Sequence, residues 1–420
     1  MTTIKPFGIS KRMVLDAYRH VKANRGAEGI DEVSLKMFDA DLSRNLYQLW
    51  NRMASGSYFP PPVMQVEIPK KQGGVRLLGV PTVSDRIAQA VVKARIESEL
   101  EPLFHPDSYG YRPNKSAVDA VAITRERCWK FKWLVEFDIR RAFDELDWDL
   151  MLKAVRKHVK DRWALLYIER WLKAPFVTQE GVVLPRSKGT PQGGVISCVL
   201  MNLFMHYAFD RWMQKEHGYC PFARYADDAV VHCRSEAQAK FMLAAIEQRL
   251  KVCKLEMHPA KSGVVYCKSR GRNQDYSRIQ FTFLGFTFRP RSATNRAGQL
   301  YTSFRPAVSQ GAIKEMLGKM RSWELHRKTS ASLHELAERY NPVLRGWLNY
   351  YGSFYKSAMS RVLDHFDQRL VRWARRKYRK LERHQMRGYD WLARTMGRQP
   401  RLFDHWLIFK SHVVRTMGAV

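Results

Sequence analysis

Cysteine is scarce in this chain. Six residues in 420 (Cys128, Cys198, Cys220, Cys233, Cys253 and Cys267) never form a C-x-x-C, and none lies beyond 267. That argues against a disulfide framework and against a cysteine-ligated zinc. With 24 glycines and 18 prolines against 45% hydrophobic residues, the chain has too little of the first two for a fibrous repeat or a disordered tail. No stretch reaches 18 uncharged apolar residues, and Met1–Ser10 has no apolar segment behind a basic flank. The expectation is a soluble intracellular protein of two or three packed units, without a membrane partner. Acidic residues are also few, 40 Asp+Glu against 72 Lys+Arg, for a net charge of +32.

The excess is uneven. Residues 291–420 hold 26 basic and 9 acidic side chains, whereas the first 290 hold 46 and 31. A field this positive recruits polyanions, with nucleic acid the first partner to consider. The densest run, Arg372, Arg375, Arg376, Arg379 and Lys380 with Arg383, recurs at helical spacing, and Ala374, Tyr378 and Leu381 fall on the opposite side. One face is cationic and the other suits docking on a core.

Periodicity predicts helices over Lys11–Ala23 and Leu35–Met53, separated by the Gly-rich connector Arg25–Asp31. Val63–Pro69 and Val75–Val80, around Gly73-Gly74, read as a hairpin, followed by a helix from Val83 to Leu100. Trp133–Ile139 is a short apolar strand, Val199–Trp212 a helix, and Phe222–Cys233 strand, turn and strand. From Val308 onward the pattern is helical. Asn341-Pro342 supplies an N-cap and first-turn proline ahead of Leu344, Trp347, Leu348, Tyr351, Phe354 and Tyr355. The aromatic series Trp347, Tyr350, Tyr351, Phe354 and Tyr355 reads as core packing of the helical region. Gly346 and Gly352 within it suggest a close approach by RNA or a neighbouring helix.

Acidic residues occur where a buried strand should have none. Asp138 ends the apolar Val135–Ile139, and Asp227-Asp228 sit at a bend between apolar flanks. Unpaired carboxylates there are costly, and each calls for turn chemistry, an arginine partner or a shared divalent cation. For the three together, Mg²⁺ relieves the repulsion best.

An ordered series surrounds them: Gly73-Gly74-Val75-Arg76, Ser108-Tyr109-Gly110-Tyr111-Arg112-Pro113, Phe137-Asp138 to Phe143-Asp144, Gly189-Thr190-Pro191-Gln192-Gly193-Gly194, Tyr225-Ala226-Asp227-Asp228, His258-Pro259-Ala260-Lys261-Ser262 and Phe283-Leu284-Gly285-Phe286. The chain resembles reverse transcriptases, the four residues ending in Asp227-Asp228 matching their YxDD. The Gly26–Asp31 connector and Pro342-Val343-Leu344-Arg345-Gly346-Trp347 narrow the resemblance to group II intron-encoded reverse transcriptases and maturases.

The resemblance implies an α+β fold, a right-hand polymerase of fingers and palm with a C-terminal α-helical thumb (X or maturase) domain. Its parts would be an N-terminal extension (1–60), fingers and palm (61–290), thumb (291–380) and a short basic DNA-binding tail (381–420). It implies an RNA-directed DNA polymerase that binds intron RNA to assist splicing. Partners would be group II intron RNA, an RNA template with a DNA primer, target DNA and dNTPs, in a bacterial cytoplasm. Asp138 and Asp227 would ligate two Mg²⁺ ions, or Mn²⁺ in their place, with Asp228 close by and the Ile139 carbonyl as a further ligand. Lys261 would be general acid toward pyrophosphate, and Lys70 and Arg76 would clamp the triphosphate. Phe143 would lie under the sugar, where it collides with a ribose 2′-OH, and Gln192 beneath the nascent base pair. Leu284-Gly285 would be the primer grip. Arg112 and Arg345 would join Arg372, Arg375, Arg376, Arg379 and Lys380 on nucleic acid.

The chain lacks the paired cysteines and histidines of an HNH nuclease after the thumb, so it resembles the endonuclease-lacking, class C-like members, and priming would come from elsewhere. Two other readings share these motifs: a domesticated intron-type enzyme in DNA repair, and a splicing-only RNA-binding maturase. The intact aspartates argue against the second.

Overall fold

In a computed structural model, which describes residues 5–69, 75–272, 274–295 and 297–408, the chain divides into two compact units. One comprises Met1–Ser116 with Val135–Val264, the other Ala117–Leu134 with Val265–Val420.

In the first unit, helices begin where hydroxyl side chains can cap them. Ser10 accepts from the Met13 N–H ahead of Lys11–Asn24, and Thr82 accepts from the Asp85 N–H ahead of Val83–Leu100. The latter is buried along most of its length and is the spine of the unit. The helix expected over Leu35–Met53 is two, Leu35–Ala40 and Leu42–Ser55, because Asp41 leaves the helical region at φ −130°. The Gly26–Asp31 connector lies against the spine: a Cβ on Gly29 would meet Thr82 Cα at 2.6 Å, and Arg86 Nη2 donates to Ala27 O at 2.5 Å.

Val63–Pro69 and Val75–Val80 pair antiparallel, Met64 opposite Val80, as the pattern predicts. Short strands Phe176–Val177 and Val183–Leu184 extend that sheet. A second sheet has the order Phe222–Tyr225, Asp228–Cys233, Trp133–Asp138, Gly263–Tyr266. Its interior strands alternate little and are buried nearly throughout, which leaves their carboxyl-bearing ends as the polar exception. The helix expected over Val199–Trp212 starts at Ser197, runs as α-helix to Met205, passes through a π turn over His206–Asp210 and resumes over Arg211–Glu216. Arg249 donates to the Tyr207 and Ala208 carbonyls at 2.8 and 2.9 Å, supplying donors where the wider turn disturbs the ladder.

In the second unit, the strands Phe281–Phe283, Phe286–Thr294 and Leu300–Val308 form a meander against which the helix Ala117–Lys130 packs, Trp129 Nε1 donating to Phe304 O at 2.9 Å. The boundary expected at 290/291 falls inside Phe286–Thr294, and the helices begin only at Gln310. Four of them, Gln310–Ser322, Leu333–Tyr351, Ser360–Lys377 and Gln385–Arg398, close on Met320, Leu344, Phe366 and Trp373. Asn341 is not an N-cap. The helix is capped nine residues earlier, at a capping box in which Ser332 accepts from Glu335 N–H and Glu335 accepts from Ser332 N–H, and Pro342 lies in its interior. The aromatic series packs as expected, with Tyr350, Tyr351 and Phe354 placing ring centroids 5.2, 5.5 and 5.4 Å from Phe286. No atom stands within 4 Å of a Cβ built on Gly346, so no neighbouring helix explains that glycine, and Gly352 is the helix C-cap. Among the described residues no helix is long and apolar enough to cross a membrane.

Candidate active site

Tyr225 and Asp228 face each other across the Phe222–Tyr225/Asp228–Cys233 hairpin, so Ala226-Asp227 is a two-residue turn. Ala226 adopts φ +57°, a conformation that costs an L-residue about 1–2 kcal/mol. A fully buried arginine holds it there. Arg224 Nη1 donates to Ala226 O at 2.9 Å, while Nε and Nη2 form a two-point pair with Asp210 at 2.7 and 2.6 Å, both side chains 0% exposed. Arg224 Nη2 also reaches Ser108 Oγ at 2.8 Å, and Asn202 Nδ2 donates to Gly110 O at 2.7 Å. Gly110 is glycine because a Cβ there would stand 2.5 Å from Ala226 N.

The turn and the end of the neighbouring strand Trp133–Asp138 bring the carboxylates together. Burial and then the Asp138 charge push the Asp227 carboxyl above its usual range, with Arg76 and Lys261 pulling it down. Lys261 Nζ sits 2.6 Å from Asp138 Oδ2. The ammonium is 54% exposed, so this pair is weak and exchangeable. Asp228 opens the second strand and is partly buried. The bridge between Ile139 and Met257 uses Asp138 O and Arg140 N, through His258 N–H at 2.8 Å and Glu256 O at 2.9 Å, so it does not engage the Ile139 carbonyl.

Two further segments face this turn. Phe143 is buried in the short helix Ala142–Glu145. It meets Tyr111 edge-on at 6.5 Å, and Tyr111 in turn lies 6.1 Å from Tyr225. Burial pushes the Tyr111 phenol up to about 12, and Asp227 acts on it in the same sense. Arg76 Nε donates to Gln192 Oε1 at 2.7 Å, which joins the strand Val75–Val80 to the loop 189–194. The loop glycines answer to contacts: a Cβ on Gly193 would meet Gly79 O at 2.5 Å, and one on Gly189 would meet Asp144 O at 2.5 Å.

Residues 68–288 match the model of the reverse transcriptase (RNA-dependent DNA polymerase) family, more than half of the chain, and residues 313–390 match the group II intron maturase-specific domain. The chain belongs to the reverse transcriptase family. It is 34% identical to Protein YkfC of Escherichia coli (strain K12) over 209 residues, 48% of this chain and 54% of that protein. It is 31% identical to the group II intron-encoded protein LtrA of Lactococcus lactis subsp. cremoris over 193 residues, 45% of this chain and 32% of LtrA. The chain thus spans between a third and about half of these relatives. Among solved structures, telomerase from Candida albicans with a TWJ fragment of telomeric RNA matches over 92% of this chain and 68% of that one, with a TM-score of 0.48 and 11% identity.

Reverse transcriptases depend on divalent metal, and the donor set here suits one. Asp138 and Asp227 offer hard oxygen ligands, they raise each other's negative potential, and a cationic group already sits on Asp138. Among the described residues no three acidic, imidazole or thiol groups stand close enough together to form a ready ligand set, so the pair Asp138 and Asp227 is what the structure offers.

The site brings Asp138 together with Asp227 and Lys261, pairs Arg76 with Gln192, and puts Phe143 against Tyr111, while Asp228 lies opposite Tyr225 at the start of the second hairpin strand. Lys70 lies outside the described residues. Arg112 is a correction: its side chain is 6% exposed and its donors go to Glu101 Oε1, His105 O and Ser108 O, so it braces its own loop instead of facing nucleic acid. Leu284 and Gly285 form a turn with φ +51° and +79°, but the group nearest a Cβ on Gly285 is the Tyr351 hydroxyl at 3.1 Å, and Tyr350 OH donates to Leu284 O at 2.8 Å. Arg345 is exposed yet paired with Asp404 at 2.9 Å. The basic helix stops at Lys377, and Arg379 and Lys380 belong to a separate short turn; Tyr378, though partly exposed, packs its ring against Trp373 and Trp391 at 6.0 and 5.9 Å between centroids.

Sequence reasoning missed Arg224, Asp210, Asn202, Gly110 and Tyr111. The signal was an arginine directly before the YxDD of a buried strand, which demands a buried acid somewhere.

Proposed function

We propose that this chain is an RNA-directed DNA polymerase that extends a DNA primer on an RNA template and binds group II intron RNA to assist its splicing. The single observation that carries the reading is the turn at Ala226-Asp227, which sets Asp227 within the field of Asp138 beside an exchangeable lysine. Asp138 and Asp227 would hold two Mg²⁺ ions, with Asp228 and the Ile139 carbonyl as further donors, and such ions would supply Lewis acidity for the primer 3′-hydroxyl and charge neutralisation for the triphosphate. Lys261, whose pair with Asp138 is solvent-exposed and can open, would face the departing pyrophosphate and give it a proton. Arg76 offers its fork to the triphosphate while Gln192 keeps it oriented. Phe143 closes the floor under the sugar and excludes a ribose 2′-hydroxyl, with Tyr111 limiting how far its ring can tilt. Residues 61–290 would serve as fingers and palm, 1–60 as an extension, 291–380 as thumb and 381–420 as a basic tail. Leu284-Gly285 would grip the primer, and the basic helix would hold intron RNA.

Primer extension on an RNA template with Mg²⁺ and dNTPs tests this. Asp227→Ala loses extension and keeps RNA binding; equal extension by variant and wild type refutes the site.

A further inference from the structure

The helix Ser360–Lys377 carries arginines whose presence the fold alone does not explain. Cations near a helix C-terminus are favoured by the helix dipole, which accounts for Arg375 and Arg376. Arg369 lies two turns earlier, is 9% exposed, and its Nε has no hydrogen-bond partner among the described residues. Burial and the charges of Arg372 and Arg321 depress its basicity, so its surroundings oppose the cation it carries. Arg375 Nη2 donates to Glu382 O at 2.9 Å, but its Nε is likewise buried and unpartnered. His326 stands opposite, its pKa lowered by burial and then by Arg376 and Arg327, against a smaller upward pull from Glu324.

Arg369, Arg372, Arg375 and Arg376, with His326 and Glu382, line one cavity of about 480 Å³. Four guanidinium groups of like charge repel one another, and the one carboxylate in the lining belongs to the exposed Glu382. A buried guanidinium with an idle donor carries a desolvation cost that an anion in the cavity would offset. Planar donor forks converging from one helix face match the tetrahedral oxygens of phosphate better than a single carboxylate. The volume lies in the range of small-ligand pockets, which leaves room for a phosphate together with its ester substituents.

We propose that this cavity is a phosphate-binding site that receives a backbone phosphate of RNA, with Arg369 as the buried anchor. The inference rests on the RNA-binding part of the function proposed above and deepens it from a cationic face to a built pocket. A free polyphosphate shares the chemistry, but the surroundings favour a polymer: Arg372 and Arg376 in the lining are exposed, and the exposed Arg379 and Lys380 follow in the next turn of the chain and add to the field beyond a single anion.

The test is binding of a fluorescein-labelled RNA hairpin across a salt series to the full chain, the Arg369→Met variant and the Arg372→Gln variant, with melting temperatures for all three. Removing a phosphate contact lowers the slope of log affinity against log salt by about 1. The expected result is a roughly tenfold weaker affinity for Arg369→Met at 0.1 M salt, a slope shallower by about 1, and a melting temperature no lower than wild type, since the lost charge was unpaired. Arg372 is exposed, so Arg372→Gln carries the same comparison if Arg369→Met fails to fold. Unchanged affinity and slope in the folded variants overturn the proposal. In a second arm, millimolar pyrophosphate is added without RNA. If it raises the melting temperature of wild type but not of the variants, while RNA binding is equal in all three, the site serves a free anion and the RNA assignment fails. Primer extension by wild type and Asp227→Ala is scored separately, so the polymerase reading and the pocket can each fail alone.

Discussion

Breaking the Arg224–Asp210 pair should disable the active-site turn through stability and position at once, and the two effects can be separated. Both side chains are fully buried and joined by two bonds of 2.7 and 2.6 Å. Asp210→Asn leaves a guanidinium with its charge uncompensated, and Arg224→Met leaves a carboxylate in the same state; each costs about 3–5 kcal/mol. The apolar double variant Arg224→Met/Asp210→Leu removes both charges, so its loss should be much smaller than the sum, with a coupling energy of about 2 kcal/mol or more. Urea unfolding of the four proteins measures this. Activity should behave differently, because Ala226 O loses its 2.9 Å donor whenever Arg224 is absent, and the turn at φ +57° loses the bond that holds it. The double variant should therefore recover stability without recovering primer extension. Additive losses, single-variant losses below about 1 kcal/mol, or full extension by the double variant would each refute the reasoning.

Asp227 gives a pH-dependent prediction. Its folded pKa is raised above the ordinary carboxylate value of 3.8, so the folded state binds the proton more tightly, and that contribution to stability is lost as pH rises through the raised value. Asp227→Asn should thus melt higher than wild type at neutral pH, and the gap should close below 3.8; a gap that is constant with pH would contradict it. Gly346→Ala should stabilise the helix Leu333–Tyr351 by about 0.5–1 kcal/mol, since open space surrounds its Cβ position, and an unchanged or lower melting temperature would show that a neighbour does need that glycine.

The candidate carboxylates stand out in the sequence because they contradict their surroundings. Asp138, Asp227 and Asp228 interrupt apolar strands, and such interruptions persist only for a reason. The packing of Tyr350, Tyr351 and Phe354 was legible because helical spacing and aromatic size leave little choice. What could not be read were pairings that depend on where a chain turns. Asp210 looks like one more charge at the end of a helix, and only the π turn over His206–Asp210 directs it to Arg224, 14 positions away. Arg112 was misassigned for the same reason, since an arginine in a loop looks available until the carbonyls of His105 and Ser108 are seen to occupy it. Asn341-Pro342 misled because it satisfies a local rule, while Ser332 and Glu335 satisfy a stronger one earlier in the same helix.

These features have a common cause. A site that must collect negative charge cannot also be the most stable arrangement of its residues. Asp227 is half-buried beside another carboxylate, and Ala226 is bent into a conformation suited to glycine. Neither contributes to folding. The compensation lies one layer below, where Arg224 ties the Ala226 carbonyl to Asp210 and Ser108 without touching Asp138 or Asp227 through any of its bonds. The buried cation thus supports the turn while its own charge is consumed by Asp210. Arg76 and Lys261 answer the carboxylates at the surface, Lys261 through a solvent-exposed bond to Asp138 that a stronger cation can displace. A permanent arginine on Asp138 would have stabilised the fold and excluded metal. An exposed lysine gives up part of that stability and leaves the carboxylate open to exchange with another cation.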